Sequence, residues 1–249
     1  MTSDAVAMEA CNELAAACEV QQRFMQHWRP AIDTLSYSAR CRQVCELGGD
    51  CYDFVPLPDN HLALAIGDAS GKGLAAALMI SSVQSSLRTA ALFSGNDAAA
   101  VLGAVNRQVY ASSLEGRYAT LFYGVFDGAA RTLRNVNAGH NPPMVIRRDR
   151  SIICLETGGV PVGMFPDWTY AEGTIQLNPG DLVVTYTDGV VEAVNPAGEE
   201  WGVEGLRQAA TEGDAQCADD IVHAIFTSMD EFSRGRQTDD ATVVVLRVH

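Results

Sequence analysis

The sequence lacks any run that approaches the roughly 20 consecutive apolar residues needed to span a bilayer. Residues 1–9 also lack the basic-then-apolar order of a secretory signal peptide. From these two absences we expect a cytoplasmic protein without a membrane-spanning segment.

Basic side chains are scarce as well, with 17 Lys and Arg against 31 Asp and Glu and a formal net charge of −14. Nucleic acids and anionic membranes attract basic surfaces, so this balance argues against both as partners. Solubility explains part of the acidic excess. Several of the acids, however, stand beside glycines at the ends of apolar runs, where metal ligands also occur.

Closely spaced cysteine pairs are missing too. The seven cysteines are scattered, and no two of them form a CxxC pair. This spacing predicts neither a disulfide framework nor a zinc site, and we expect reduced thiols that mostly contribute to packing. No cysteine has an arginine six positions later, as a cysteine phosphatase would require, and no GxSxG motif is present. The five histidines are too dispersed for a histidine-rich metallohydrolase.

The apolar pattern predicts one large domain with an appendage. Residues 1–27 show a weakly apolar helical stripe of Met8, Cys11, Ala15, Cys18, Gln22 and Met25, and Pro30 marks its end. A strand over residues 62–66 follows, ending at Gly67-Asp68, and then helices over 73–91 and 97–112.

The second half of the chain is rich in predicted strands. Short β-rich segments separated by turn residues cover 119–127, 132–137, 144–148, 152–155, 168–176 and 181–185. A helix over 218–233 and a strand over 242–248 complete the pattern. Many short strands interrupted by paired helices favour α+β layers over a parallel Rossmann-type sheet.

Aspartates recur at four glycine- or threonine-flanked corners: Gly48-Gly49-Asp50, the segment 67–73, Thr187-Asp188-Gly189 and the segment 238–242. One such corner alone is more typical of an ordinary turn. Four together favour a site of hard oxygen ligands, the kind that magnesium and manganese prefer. The segment 67–73 does not match a nucleotide-binding loop, because its glycine spacing is one residue short and Gly73 replaces the hydroxyl residue.

Several ordered blocks resemble the SpoIIE/RsbU-like branch of the PPM, or type two C, serine/threonine phosphatases, and the resemblance covers nearly the whole chain. The blocks are Glu19-Val20-Gln21 with Pro30, residues 47–54, residues 66–73 with 75–78, residues 117–123, Asn137-Ala138-Gly139-His140-Asn141-Pro142-Pro143, residues 158–163, residues 186–193 and Asp239-Asp240-Ala241-Thr242.

The resemblance implies an α+β fold, a four-layer αββα sandwich of two antiparallel sheets flanked by helix pairs. It implies an N-terminal regulatory or linker helix over residues 1–30 and a phosphatase domain over 31–249. It also implies two divalent cations, Mn²⁺ or Mg²⁺, in a channel at one end of the sheets. The ligands carried over by position are Asp50, Asp68, the backbone carbonyl of Ala69, Asp188 and Asp239, with Asp240 orienting a ligand or holding a weaker third ion.

For several other residues the sequence allows two interpretations. Asp53 either supports a metal ligand without contacting the metal or is a turn acid, and Lys72 either adds positive potential near a phosphate or is solvated. Arg40 and Arg42 are phosphate contacts or ordinary strand residues. His140, in a Gly-Asn-Pro turn, is expected to be structural. Ser70 stands where eukaryotic relatives have a histidine and Cys51 where many have an aromatic residue, so the general acid stays open.

The function implied by the resemblance is metal-dependent hydrolysis of phosphoserine or phosphothreonine on a protein, such as an anti-anti-sigma (STAS) regulator in partner-switching signalling. A second interpretation is a catalytically weak or inactive scaffold with the same fold, although its expected signature, the loss of an acid such as Asp68 or Asp188, is absent. A third, a kinase or other nucleotide-dependent regulator, lacks a phosphate loop. The seven-residue recurrence in the N-terminal stripe predicts a weak homodimer seam, or packing on the chain's own domain.

Overall fold

The computed structural model describes residues 3–25, 30–212 and 217–249, with side chains described from residue 12 onward. Helices are α1 (Ser3–Met25), α2 (Leu74–Ser94), α3 (Ala98–Ser112), α4 (Asp188–Val191), α5 (Gly202–Thr211) and α6 (Ala218–Ser233). Strands are β1 (Leu35–Arg42), β2 (Asp50–Leu57), β3 (His61–Ala69), β4 (Ala119–Asp127), β5 (Thr132–Ala138), β6 (Met144–Ile146), β7 (Ile152–Cys154), β8 (Gly158–Gly159), β9 (Gly173–Gln176), β10 (Leu182–Tyr186) and β11 (Ala241–Val248).

The strands form two sheets. The first has the order β1-β11-β10-β6-β7, and the second has the order β2-β3-β4-β5-β8 with β9 paired to β5. Neighbouring strands are antiparallel except for β5 and β8, which run parallel over a two-residue pairing. The predicted antiparallel sandwich is therefore confirmed, with one short parallel addition at the edge of the second sheet.

The alternation of side chains along the strands separates three apolar layers. In β3, Leu64 and Ile66 join Val244 and Leu246 of β11 in a buried core between the two sheets. On the other face of β3, Ala63 and Ala65 pack in a core that contains residues of α2 and α3. A third core joins the outer face of the first sheet to α5 and α6. The order of layers is helix, sheet, sheet, helix, as expected.

Helix α1 contacts the domain through its C-terminal half. The carbonyl oxygen of Phe24 accepts hydrogen bonds from Gln84 at 2.9 Å and from Arg88 at 2.7 Å, both on α2. The buried Gln21 side chain donates to the carbonyl of Gly48 at 2.8 Å and accepts from the Gly48 amide at 3.1 Å. These bonds attach α1 to α2 and to the loop before β2.

The predicted apolar stripe of α1 is not the face that makes these contacts. Ala15 and Gln22 are exposed, whereas Cys18 and Met25 are half-buried. The side chains of Met8 and Cys11 lie outside the described residues. Of the two interpretations of the stripe, packing on the chain's own domain therefore holds for Cys18 and Met25 but not for Ala15 and Gln22. The homodimer seam stays a prediction.

Most sequence-based element boundaries lie within two or three residues of the observed ones, but five elements were not predicted. Strands β1, β2 and β8 and helices α4 and α5 had no assignment. Pro56 and the two aspartates of β2 obscured its strand pattern, and Pro56 is tolerated because β2 is an edge strand. The strand predicted over 168–176 is limited to Gly173–Gln176.

In the part of the chain that the structure describes, no helix is both long and apolar enough to cross a membrane. The cysteines whose side chains are described are free thiols: Cys18, Cys41, Cys45, Cys51, Cys154 and Cys217.

Candidate metal centre

The acidic corners meet at one end of the sandwich. Strand β2 begins at Asp50 and β3 ends just after Asp68, and these two residues are directly opposite each other in the antiparallel register. Strand β10 ends next to Asp188, and β11 begins just after Asp240. The predicted ligands therefore share one edge of the two sheets.

The period of two along each strand also decides which face these residues occupy. Asp50 is on the same face as Phe54, and Asp68 is on the same face as Leu64 and Ile66, all of which belong to the core between the sheets. Asp50 and Asp68 therefore lie at the mouth of the inter-sheet space. Like charges directly opposite each other on a sheet are destabilising, so this arrangement needs a compensating role.

Asp50 is the most buried carboxylate of the cluster, at 2% exposure. Its Oδ2 accepts hydrogen bonds from the hydroxyl of Thr187 at 2.7 Å and the hydroxyl of Thr242 at 2.6 Å. Burial raises the pKa of Asp50 well above its usual range, and the Asp68 charge adds to the rise, while the two hydroxyls oppose it. Two threonines from the other sheet thus fix the orientation of this carboxylate.

Asp68 is half-buried beside other acids. Burial raises its pKa from 3.8 to about 7, and the charges of Asp188, Asp239 and Asp240 contribute next in that order. The Lys72 ammonium opposes them only weakly. The acids of the 187–189 and 238–242 corners therefore act on Asp68, which in turn acts on Asp50, and negative charge is in excess around them.

The remaining acids have donors from the protein itself. Asp239 Oδ2 accepts from Lys72 Nζ at 2.6 Å, and Asp188 Oδ1 accepts from the Gly189 amide at 2.8 Å. The two oxygens of Asp240 accept from the amides of Val44 and Gly49, each at 2.8 Å. Asp240 therefore ties the loop before β2 to the start of β11. Both predicted functions of Asp240 stay predictions.

Two glycines make room at this edge. A Cβ at Gly49 would lie 3.3 Å from Asp68 Oδ1 and 3.4 Å from the backbone oxygen of Ala69, so these two oxygens border the same small space. A Cβ at Gly189 would collide with the backbone of Asp240 at 2.0 Å. The close approach of the 188–189 turn to the 239–240 turn therefore requires glycine.

The donor set fits divalent cations. Carboxylate oxygens and the Ala69 carbonyl are hard ligands of the kind that Mg²⁺ and Mn²⁺ take, and the uncompensated negative charge favours cation binding. In the described ranges, no group of three or more His, Cys, Asp and Glu side chains stands in metal-holding geometry. Asp188, Asp239 and Asp240 each accept a hydrogen bond from a protein donor.

Other candidate residues lie elsewhere. Asp53 is within β2, not in a turn, and its carboxylate pairs with Arg88 at 2.5 and 2.9 Å on the helix-facing side of the sheet. Arg42 binds Asp230 through both guanidinium nitrogens, and Arg40 stacks over the Phe226 ring at 4.9 Å. Both arginines therefore serve the contact between β1 and α6, and the strand interpretation is the better one for them.

His140 and Ser70 have structural hydrogen bonds. The His140 ring contacts the Thr120 hydroxyl at 3.0 Å, its backbone amide donates to Asn137, and burial lowers its pKa to about 4. The Ser70 hydroxyl accepts from the Tyr118 amide at 3.0 Å. These contacts agree with the structural role expected for His140, and they place Ser70 in the support of the loop that follows Asp68.

Sequence reasoning missed Thr187 and Thr242 as partners of Asp50, and Arg117 as a partner of the 67–73 loop. Arg117 Nη1 donates to the carbonyl of Ser70 at 2.7 Å. The only available signal was the position of each threonine beside an aspartate in a motif. Which acid each would reach depends on the packing of one sheet on the other.

Comparison with known proteins identifies relatives along the whole chain. The family model for stage II sporulation protein E (SpoIIE) matches residues 58–249. Protein IcfG of a Synechocystis strain is 28% identical over 228 residues, which are 80% of this chain and 36% of that protein. Phosphoserine phosphatase RsbU of Bacillus subtilis is 27% identical over 97% of this chain and 72% of its own length. The chain thus spans about a third of the first relative and most of the second.

Solved structures with the same fold are also known. The SiaA-PP2C domain of Pseudomonas aeruginosa superposes with a TM-score of 0.83 at 19% identity, over 98% of this chain and 99% of that one. The catalytic domain of the serine/threonine phosphatase PstP in complex with two manganese ions superposes with a TM-score of 0.65 at 20% identity, over 86% and 98%. At these identities the comparison shows a shared PP2C-type fold.

Proposed function

The chain belongs to the SpoIIE family, and we propose that it is a metal-dependent phosphatase that hydrolyses phosphoserine or phosphothreonine on a protein. The observation that carries the proposal is the uncompensated acidic cluster at the mouth of the inter-sheet space. Five aspartates from four corners converge there, and the described charge that opposes them is the exposed Lys72. Such a cluster is costly to the folded protein unless it binds cations.

The groups that would hold two Mn²⁺ or Mg²⁺ ions are Asp50, Asp68, the Ala69 carbonyl, Asp188 and Asp239, with Asp240 in support. When bound, the ions would lower the pKa of a water molecule and neutralise charge on the phosphoryl oxygens. The aspartates act as ligands in this proposal and are not nucleophiles. The PstP structure with two manganese ions supports the choice of metal.

The protein groups around the cluster have separate tasks. Thr187 and Thr242 hold the Asp50 carboxylate in one orientation, which a ligand needs if it is to meet an ion without further rearrangement. The amides of Val44 and Gly49 hold Asp240 in the same way. Lys72, flexible and mostly exposed, can move from Asp239 toward a phosphate.

We further propose that the substrate is a phosphorylated anti-anti-sigma (STAS) protein or a similar partner-switching regulator. The similarity to the phosphoserine phosphatase RsbU along 97% of this chain supports this choice. We also propose that residues 1–30 form a regulatory helix attached to a phosphatase domain over residues 31–249, with weak pairing to a second copy through its apolar stripe.

The test is phosphate release by the purified chain from phosphoserine peptides and from p-nitrophenyl phosphate. We expect turnover with added manganese, loss of turnover in excess chelator, and recovery when manganese or magnesium is restored. Undiminished turnover in chelator would contradict the metal-dependent mechanism. No turnover of either substrate under any metal condition would favour the inactive-scaffold interpretation.

A further inference from the structure

Large apolar side chains are exposed on α2, which follows the 67–73 loop, in the loop after α3 and at Met164. Leu74, Leu78 and Leu114 are 58%, 74% and 74% exposed, and Met164 is 37% exposed. Single exposed apolar residues are common, but a group of them gathered around one groove marks an interaction site.

Two cavities join Leu78, Leu114 and Met164 into one groove, and Leu74 lies outside their lining. A cavity of about 310 Å³ lies between the first half of α2 and the loop after α3, and Leu78, Met79, Leu114 and Arg117 line it. A second cavity of about 400 Å³ is lined by Tyr110, Leu114, Arg117 and Met164. Leu114 and Arg117 border both, so the two cavities are parts of one surface, which we call the α2–α3 groove.

The α2–α3 groove is continuous with the proposed metal centre. Arg117, which borders both cavities, donates to the carbonyl of Ser70, two residues after Asp68. Helix α2, which supplies Leu74 and Leu78, begins directly after the 67–73 loop. A polypeptide that crosses this surface can therefore bring its phosphoserine to Asp68.

The charge of the groove indicates its occupant. Arg117 places a cation between the apolar surface and the acidic cluster. Glu115 is the single acidic residue among those that line the two cavities. This guanidinium complements a segment that carries a phosphate, whereas the acids around it repel one. A second copy of this acidic chain seated on the groove would instead cover the entrance to the metal centre.

We propose that the α2–α3 groove is the docking surface for the protein substrate, and that it binds apolar side chains that flank the phosphoserine. This inference rests on the proposed phosphatase function and adds its substrate preference: phosphoserine with leucine-like neighbours on one side. Arg117 positions the 67–73 loop and meets the phosphorylated segment between the groove and the metals.

The experiment compares peptide turnover with turnover of p-nitrophenyl phosphate, which is too small to reach the groove. Four phosphoserine peptides serve as probes. One has two leucines before the phosphoserine, one has two leucines after it, and each has a partner in which glutamine replaces both leucines. The enzyme is the full chain with manganese, unmodified or carrying Leu78→Glu, Leu114→Glu or Phe93→Glu.

Phe93→Glu is the matched control, because Phe93 is 87% exposed on the same helix α2. It lies fifteen residues beyond Leu78, or about 22 Å along the helix axis. We expect one leucine peptide to be preferred over its glutamine partner by about tenfold in kcat/KM, the effect of burying roughly one leucine side chain. Leu78→Glu and Leu114→Glu should remove that preference, and Phe93→Glu should keep it.

Each other outcome decides against the proposal. Equal kcat/KM for leucine and glutamine peptides, or an undiminished preference in both groove variants, would overturn the docking surface while leaving the phosphatase function intact. A groove variant that changes the mass in solution by light scattering and raises turnover of p-nitrophenyl phosphate would assign the groove to a second copy. Failure of the unmodified chain to hydrolyse both the phosphopeptides and p-nitrophenyl phosphate would overturn the proposed function itself.

Discussion

Asp50 and Asp53 stand three residues apart on strand β2, and each is 2% exposed, yet their surroundings are opposite. Asp53 faces α2 and forms a two-pronged ion pair with Arg88. Asp50 faces the space between the sheets, where its neighbours are two threonine hydroxyls and more carboxylates. The difference separates structure from function on a single strand. A buried acid with its own countercharge holds structural elements together, whereas a buried acid without a countercharge is a candidate cation ligand.

The largest effect is expected from a change in the acidic cluster that lacks a countercharge. Asp68→Asn should lower manganese-dependent turnover by roughly a hundredfold or more, because it removes a charged ligand shared by the centre. The metal-free variant should be more stable than the unmodified chain. The raised pKa of Asp68, about 7 against 3.8, means that the folded state binds more protons between those values, so its contribution to stability falls as pH rises through that window.

The measurements are turnover and thermal unfolding in chelator at pH 7.5, with and without added manganese. The gain in melting temperature that manganese gives should shrink in the variant. Near-normal turnover would remove Asp68 from the ligand set, and a lower melting temperature without metal would contradict the uncompensated charge. Asp59→Asn, at an exposed turn, is the matched control that should change neither quantity.

Removing the paired acid, Asp53, should destabilise the metal-free protein, whereas removing Asp68 should stabilise it. Asp53→Ala leaves Arg88 with the Phe24 carbonyl but without its carboxylate, and it should lower the free energy of unfolding by about 3 kcal/mol, as removal of one partner from a buried pair does. The double variant Asp53→Leu with Arg88→Met should recover much of that loss, since it replaces the pair with apolar volume. Urea unfolding without metal measures both. A single variant as stable as the unmodified chain would mean that the pair contributes nothing.

His140 offers a buried titratable group that the structure keeps uncharged. Because burial lowers its pKa from 6.5 to about 4, the unfolded state binds more protons between these values, and stability should fall as pH drops from about 6.5 to 4. The loss attributable to this side chain should reach about 3 kcal/mol at the lower end. Urea unfolding of the unmodified chain and of His140→Gln across this range isolates the effect, because Asp68 contributes with the opposite sign to both. Parallel pH profiles would contradict it.

The smallest effect concerns Lys72, the cation nearest to the uncompensated cluster. Lys72→Ala should lower turnover by only about two- to fivefold, since a hydrated ammonium contributes less than a bound divalent ion. The turnover of Lys72→Arg, which keeps the charge, should lie between that of Lys72→Ala and that of the unmodified chain. Complete loss of turnover with manganese still bound, as judged by the shift in melting temperature, would give this side chain a catalytic role.

The residues of the candidate site were predictable as types and positions. Turn-like motifs placed Asp50, Asp68, Asp188 and Asp239 at strand ends, and the strand predicted over residues 62–66 ended at Gly67-Asp68. Helices α3 and α6 and strand β4 were predicted to within one residue, because caps, turns and apolar periods are local signals.

What the tertiary structure decided is which partner each acid has. Asp50 accepts hydrogen bonds from Thr187 and Thr242, which are 137 and 192 residues away in sequence. Asp53 pairs with Arg88 on α2, and the residue pattern of β2 does not indicate which helix covers that strand. A period of two assigns a side chain to a face, but the occupant of the facing layer depends on the order and packing of both sheets. The sequence by itself therefore determined where the acids lie along the strands. Only the packing of sheet on sheet and helix on sheet decided which of them are left without a countercharge.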